Sequence, residues 1–393
     1  MKKSQLARAS LAALGTMAAG VVHAQTNVTL YGVIDGSIEY VNRVGTAPAN
    51  LATTGTATAP VGKRFDMPRA GGLSASRWGL RGTEDLGQGW SALFNLESGF
   101  DWDSGNLTTA PLFNRTAIVG LGNKDHGRLT FGRQYTSMTD ALIVFAPLRF
   151  AASYEPGVWW LGLNYRQSNM AKYSGKFGGV QVGAHYSFGT ASSLQAAGTG
   201  QPLGPGEAPG NIKDNSAWGA AVSYEGGGFA VGVGYDQWNP APAATPGNTG
   251  RERKTGVAAS YTTGRLKISG GYRYRDSQFS NDATLIRDDF WFAGVNYNVT
   301  AALGVQLGYY YSNIKQYRPT PTGVATNPAN PQQVSLVLDY SLSKRTDVYL
   351  ASSYVHNGSL INDGPFTGYL FNYPQAPGQK NMVGVTAGVR HIF

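Results

Sequence analysis

The stretch Ser76–Gly87, SRWGLRGTEDLG, decides the fold. Arg77 and Arg81 alternate with Trp78 and Leu80, and the run then stops at a tight Gly-bearing turn. A period of two is that of a β-strand with unlike faces. One face is wet. The other presents an aromatic and aliphatic surface that must pack on a second sheet or face something other than water.

The same theme returns along the chain. In VTLYGVIDGSIEY, Val28, Leu30, Ile34, Ile38 and Tyr40 share one face, while Thr29, Tyr31, Asp35, Ser37 and Glu39 share the other. VQVGAHYSF (Val180–Phe188) and RLKISGGYRYR (Arg265–Arg275) repeat it, as do QVSLVLDYSL and the closing VGVTAGVRHIF. Sixteen such segments begin near residues 27, 74, 89, 113, 127, 162, 179, 215, 228, 253, 265, 287, 303, 332, 346 and 380.

The connections alternate in length. Tight links such as GNKDHG, EGGG and TTGR stand between long polar ones at 42–73, 136–161, 190–214, 240–252, 315–331 and 357–379. This rhythm puts short turns on one rim and long loops on the other, as in an up-and-down meander. Greek-key sandwiches do not keep it, and a propeller would repeat a four-strand blade motif that is missing here. The polar face is too rich in charge and glycine to be a packed core: it holds Arg77, Arg81, Glu97, Arg115, Lys267, Arg273, Arg275, Asp339 and Arg390. An inverted barrel, apolar toward lipid and polar toward a wet lumen, satisfies both faces. It must be closed, since a free edge in hydrocarbon leaves backbone groups unpaired. Trp90, Trp159, Trp160, Tyr224, Trp238 and Tyr354, near strand ends, are expected to form interfacial girdles.

Composition agrees. The 393 residues include 53 Gly, 22 Tyr, 16 Phe and 8 Trp, and only 14% are charged, against an average of about 25%. With no Cys and five His, thiolate metal sites are excluded and His-dependent chemistry starts from little. Residues 1–24 read as a cleaved secretory signal: Lys2, Lys3 and Arg8, an apolar run to Val22, then the small-residue end Val22-His23-Ala24. Removing these three cations takes the formal charge from +9 to +6 and leaves residues 25–393 as one barrel domain. Export also removes the nucleic-acid reading that a basic chain would otherwise invite.

In order and spacing, NVTLYGVID, SRWGLRGTEDLG, FNLESGF, NRTAIVGL, TFGRQYT, YRQSNMAKYSGKFGG and a terminal Phe393 make the chain resemble a Gram-negative general porin of the β-proteobacterial type. The resemblance covers essentially all of the mature chain. It implies a sixteen-stranded transmembrane barrel in the outer membrane, a homotrimer, and a third loop folded inward over Thr136–Trp160 to narrow a pore. It places Arg77, Arg115 and Arg166 on an arginine ladder with Arg133 nearby, facing loop residues Asp140, Glu155 and Arg149. It makes Gly99–Phe113 the loop that latches onto a neighbouring subunit, and Phe393 the assembly signal read by the barrel insertion machinery. By simple alternation from Phe131, however, Arg133 points outward and suits a subunit contact instead.

The implied function is passive diffusion of small hydrophilic solutes and ions, with outer-membrane lipid and lipopolysaccharide as surroundings and no cofactor. Arginines crowded on one wall, unless balanced by acids, produce a positive field, and an anion-preferring pore is the expectation. A membrane enzyme would need a Ser/His/Asp or Asp/His group at the rim, yet His126, His356 and His391 have no evident convergent partner. His185, with no metal-ligand spacing around it, reads as structural or solvated. A substrate-selective porin would need an aromatic track, for which Phe145, Phe150, Tyr154, Trp159 and Trp160 are the candidates.

Overall fold

The computed structural model describes residues 27–45, 62–68, 71–108, 111–162, 164–190, 206–241, 247–318, 320–358, 360, 376 and 378–393. The signal segment 1–24 lies outside the described residues, as do parts of every long link except 136–161. All strands belong to one antiparallel sheet. They run β1 (Asn27–Val44), β2 (Gly62–Asp66), β3 (Arg77–Gly87), β4 (Trp90–Gly99), β5 (Thr116–Asn123) and β6 (Gly127–Tyr135). Next come β7 (Arg166–Phe177), β8 (Val180–Ser187), β9 (Ala217–Gly226), β10 (Phe229–Trp238), β11 (Arg251–Thr263) and β12 (Leu266–Gln278). The last are β13 (Thr284–Asn298), β14 (Leu303–Tyr317), β15 (Gln332–Ser341), β16 (Thr346–His356) and β17 (Asn381–Ile392).

From β3 onward each strand pairs with the next, and β1 closes the ring. Its first half pairs with β3, Asn27↔Thr83 to Val33↔Arg77, and its second half with β17, Val33↔Ile392 to Val41↔Gly384. Sixteen strands therefore form a closed barrel. The seventeenth, β2, continues the ladder on β1 beyond the reach of β3, from Glu39↔Asp66 to Val44↔Gly62. At the seam the backbones of Gly32 and Phe393 exchange two hydrogen bonds, of 3.0 and 3.1 Å.

The faces sort as the alternation requires. On β1, Leu30 and Ile38 are about 60% exposed on the outside, whereas Asp35, Ser37 and Glu39 are buried on the inside. Trp78 faces outward and meets the edge of Phe113 at the end of the Gly99–Phe113 loop, with centroids 6.4 Å apart. Two details differ from expectation. Trp90, Tyr224 and Tyr354 are outward, but Trp159, Trp160 and Trp238 are buried within the barrel and belong to no girdle. The lumen is also not uniformly wet. Phe290, Phe292 and Tyr310 point inward and form an apolar cluster with Met138, Leu142 and Phe145 of the third loop. That loop needs apolar purchase on the wall it covers, and this overrides the polar-inside rule locally.

Candidate functional site

The third loop leaves β6 at Thr136, whose hydroxyl accepts the Thr139 N–H at 3.2 Å and caps helix α1 (Ser137–Leu142). A 3-10 turn, Ile143–Phe145, and helix α2 (Gly157–Leu161) follow. Glycines on the wall make room for α1: a Cβ at Gly234 would stand 2.9 Å from Met138 Cγ, and one at Gly256 2.8 Å from Leu142 Cδ1. At the loop tip a Cβ at Gly294 would stand 2.4 Å from Pro147 Cβ. Side chains from the far wall tie the tip down. Lys267 Nζ donates to Val144 O at 2.8 Å and Asn296 Nδ2 to Pro147 O at 2.8 Å.

The returning limb is held as firmly. Tyr154 donates its hydroxyl to Glu39 at 2.6 Å, and Gln333 and Ser335 donate to Tyr154 O at 2.7 and 2.8 Å. Ala152 and Ser153 donate backbone N–H groups to Leu73 and Gly72. Asp35 fixes that segment in turn by accepting from the backbone N–H groups of Gly72, Leu73 and Ser74 at 3.1, 2.9 and 2.7 Å. Arg273 donates to Trp159 O, and Lys254 Nζ to Asn164 Oδ1 at 2.8 Å. The loop thus lies on the wall between β8 and β17, facing the wall formed by β3 to β7.

On this second wall Glu97 is the hub. Arg115 Nε donates to its Oε1 at 2.6 Å, Arg77 Nε stands 3.5 Å from Oε2, and Tyr31 donates its hydroxyl to Oε2 at 3.1 Å. Arg81 lies over the Tyr31 ring, 5.1 Å from its centroid. Arg166 sits over the rings of Tyr135 and Tyr165, 4.3 and 4.8 Å from their centroids, and donates to both hydroxyls. It shares one electrostatic neighbourhood with Arg77 and Glu97. Arg77 and Arg115 therefore pair with a single carboxylate, and Arg166 lies within its field.

The other site residues lie elsewhere. Arg133 is on the outer face: Ala117↔Arg133 follows Val119↔Phe131 in the ladder, and Val119 and Phe131 are exposed outside. It donates to Asn114 O at 2.6 Å and to Ser168 Oγ at 3.0 Å. Arg149 is exposed at the loop tip, reaching Asn296 Oδ1 at 3.3 Å. The Asp140 carboxylate is paired with Lys172. Glu155 is buried, accepting from the backbone N–H groups of Leu148 and Ala151 at 3.0 and 3.1 Å and from the Tyr310 hydroxyl at 2.8 Å. Burial pushes its carboxyl up to about 7 against the pull of these donors. Glu155 pins the loop and has no free oxygen to offer an ion.

Four of the five candidate track aromatics, Phe145, Tyr154, Trp159 and Trp160, are buried against the wall. His185 is buried too. Its Nδ1 is 3.0 Å from Ser137 Oγ and accepts the Ser137 N–H at 3.2 Å, while Nε2 is 3.6 Å from Asp236 Oδ1. The order Ser, His, Asp resembles a hydrolytic triad, but the serine is 2% exposed and the same ring nitrogen takes its backbone N–H. This is a pin for the start of α1. Among the charged residues that the alternation puts on the polar face, Glu97 matters most at the site. Its signal was available: it alternates onto the polar face in FNLESGF. Lys172 had none, because its pairing with Asp140 depends on a loop that folds back.

Comparison with known proteins agrees with this architecture. A family model described as Gram-negative porin matches residues 9–360. An outer membrane porin protein of Bordetella pertussis is 32% identical over the full length of both chains. The outer membrane porin protein 32 of Delftia acidovorans is 27% identical, again over both chains entirely. Among solved structures, the anion-selective porin from Comamonas acidovorans superposes with a TM-score of 0.72 at 24% identity, covering 94% of this chain and all of the other. The trimer form of OmpT from Vibrio cholerae superposes at 0.60 with 16% identity, covering 94% and 99%.

Proposed function

The chain belongs to the Gram-negative porin family, and from that premise we propose that its pore prefers anions and that Arg77, Arg115 and Arg166 set the preference. It is an outer-membrane channel for the passive diffusion of small hydrophilic solutes and ions. The observation behind the preference is the imbalance at the eyelet. Arg77 and Arg115 pair with one carboxylate, Glu97, and a third guanidinium, Arg166, lies within its field with no acid of its own among the described residues. The loop facing them has spent both its acids, Asp140 on Lys172 and Glu155 on its own backbone. Wall charges act on ions within about a Debye length, about 8 Å at physiological salt, so the eyelet outweighs the rest of the lumen. The similarity to a porin from Comamonas acidovorans that is itself anion-selective supports the same reading.

The proposal includes cleavage after Ala24, insertion guided by Phe393, a lipid and lipopolysaccharide environment, and assembly as a homotrimer like the trimer form of OmpT. Arg133, outward beside Asn114 just after the Gly99–Phe113 loop, belongs to the subunit contact in this reading. Transport and no catalysis is the activity assigned. Reversal potential across a planar bilayer under a KCl gradient tests the preference. The anion-selective sign is expected, reduced in Arg77→Ala with Arg115→Ala; a cation-selective sign unchanged by that double substitution would overturn it.

A further inference from the structure

The outer surface carries its charge unevenly. The outward positions of β1, β15, β16 and β17 include no Lys, Arg, Asp or Glu among the described residues. On β11 to β14 they include Arg251, Arg253, Asp276, Arg287, Asp289 and Lys315. The register fixes the side they are on. Arg253↔Asp276↔Arg287 form one cross-strand row, whereas the adjacent row, Lys254↔Arg275↔Asp288, is buried inside the barrel.

Their height is equally telling. Arg253, Arg287 and Lys315 stand ten, eleven and twelve residues from the short-turn ends of their strands. A rise of about 3.3 Å per residue and a tilt of about 40° put them roughly 25–30 Å above those turns, at the upper edge of an apolar band about 25 Å tall. Directly below is an aromatic shelf. Tyr272, Trp291 and Tyr311 lie side by side with centroids 5.4 and 5.7 Å apart. The Tyr272 hydroxyl reaches up to Asp289 Oδ1 at 2.7 Å, and Tyr235 donates to Gln237 Oε1 at 3.0 Å. Apolar rings below and cations above match an amphiphile whose head is anionic.

Arg251 is engaged with Gln278 and Asp282, and Lys315 is 3.8 Å from Asp289. Arg253 is exposed and donates to Gln237 Oε1 at 3.3 Å, and exposed Arg287 makes no ion pair among the described residues. Two guanidinium groups thus face the outer-leaflet headgroup layer from β11 and β13, on either side of Asp276 on β12. We infer that this sector of β11 to β14 is a binding site for a phosphorylated glycolipid headgroup of the outer leaflet. Arg253 and Arg287 hold phosphate, and the Tyr272–Trp291–Tyr311 shelf carries the first acyl carbons. The inference rests on the porin reading for its orientation in the membrane.

The test uses the mature protein and its Arg253→Ser, Arg287→Ser double variant in detergent. Both are titrated with bis-phosphorylated lipid A and with lipid A stripped of its phosphates, and binding is read by native mass spectrometry. A basic residue near an anionic membrane surface is worth a few-fold in affinity, so the wild-type chain is expected to favour the phosphorylated form by about tenfold or more. The double variant is expected to lose that preference while keeping wild-type conductance and reversal potential. A variant that retains the preference, or a wild-type chain without one, overturns the site. Conductance in plain salt separates the two readings: a conducting protein without lipid preference refutes the patch alone, and a non-conducting one refutes the porin reading.

Discussion

Replacing Glu97 with Gln tests the eyelet most directly, because it removes one charge and keeps the shape. The amide oxygen can take the place of Oε1 and still accept from Arg115 Nε, which reaches it at 2.6 Å. The amide N–H at the Oε2 position can donate to the Tyr31 hydroxyl, which now donates to Oε2 at 3.1 Å. The change leaves Arg77 and Arg115 without their shared counter-charge and removes the acid nearest in the field of Arg166. An ion passing about 6 Å from the lost charge in a water-filled eyelet loses about 0.7 kcal/mol of interaction, or about 0.3 kcal/mol after screening at physiological salt. Anions gain this and cations lose it, so the difference is about 0.65 kcal/mol and the anion-to-cation permeability ratio should rise about threefold. In 1 M salt, where the Debye length is about 3 Å, the rise should shrink to about 1.4-fold. Reversal potentials of single channels at the two ionic strengths measure both numbers. A ratio that stays constant at low salt, or moves toward cations, would refute the assignment of these arginines to the ion path.

Gly294→Val should push Pro147 off the wall, costing about 1–3 kcal/mol as an overpacked contact. The expected result is a lower melting temperature and a smaller single-channel conductance; unchanged conductance would mean that the loop tip does not bound the pore. Deleting Phe393 removes the two backbone hydrogen bonds to Gly32 at the seam. Immunoblots of outer-membrane fractions should show much less trimer, while protein refolded in detergent still conducts; normal cellular levels would count against an assembly role. Glu155 carries a pH prediction. Its value of about 7 in the folded loop is raised, so its contribution to loop docking is fully present below the ordinary carboxylate range and is lost as pH rises through about 7. Amide exchange at Leu148 and Ala151 should therefore accelerate above pH 7, beyond the intrinsic base-catalysed rate. A flat protection profile from pH 5 to 8 would contradict this.

The barrel was legible because two independent periods agree. Residue alternation sets the faces, and link length sets the rims, so sixteen strand starts were placed within a few residues of where the ladder begins. Even the outward direction of Arg133 followed from Phe131, since the register shift beside it falls on the β7 side, where Gly132↔Met170 is followed by Gln134↔Gln167. The short β2 was not legible. Five residues inside a polar link pair only with the overhang of β1, and overhang depends on barrel shear, which no local pattern encodes. The third loop hid the rest. A tryptophan near a strand end reads as a girdle residue, yet Trp159 and Trp160 pack edge-on against Phe290 and Phe292. An acid in an inward loop reads as pore lining, yet Glu155 is consumed by Tyr310, 155 residues away.

The same division of labour explains why net charge is a poor guide to selectivity in this chain. Arg273 and Arg275 are inward-facing cations, but both contact Asp288 Oδ1 at 2.7 Å, Ser312 donates to Asp288 Oδ2 at 3.1 Å, and Arg273 also donates to Trp159 O. All three charged residues are buried beneath the loop. Burying charge is unfavourable unless each ion is paired and hydrogen-bonded, and this cluster meets that condition by fastening the loop to β12 and β13. Arg273→Met removes one cation from the lumen wall, just as Arg77→Ala does, yet the two should behave differently. Losing one member of a buried ion cluster costs about 3–5 kcal/mol, and here the loss falls on the docking of the returning limb. The expected phenotype is a noisier channel of larger mean conductance and lower thermal stability, with the anion-selective sign retained. Current recordings alongside reversal potentials distinguish this from an electrostatic role. Should Arg273→Met reduce anion preference with conductance and noise unchanged, Arg273 would have to stand in the ion path, and the separation of anchoring from selecting arginines would fail.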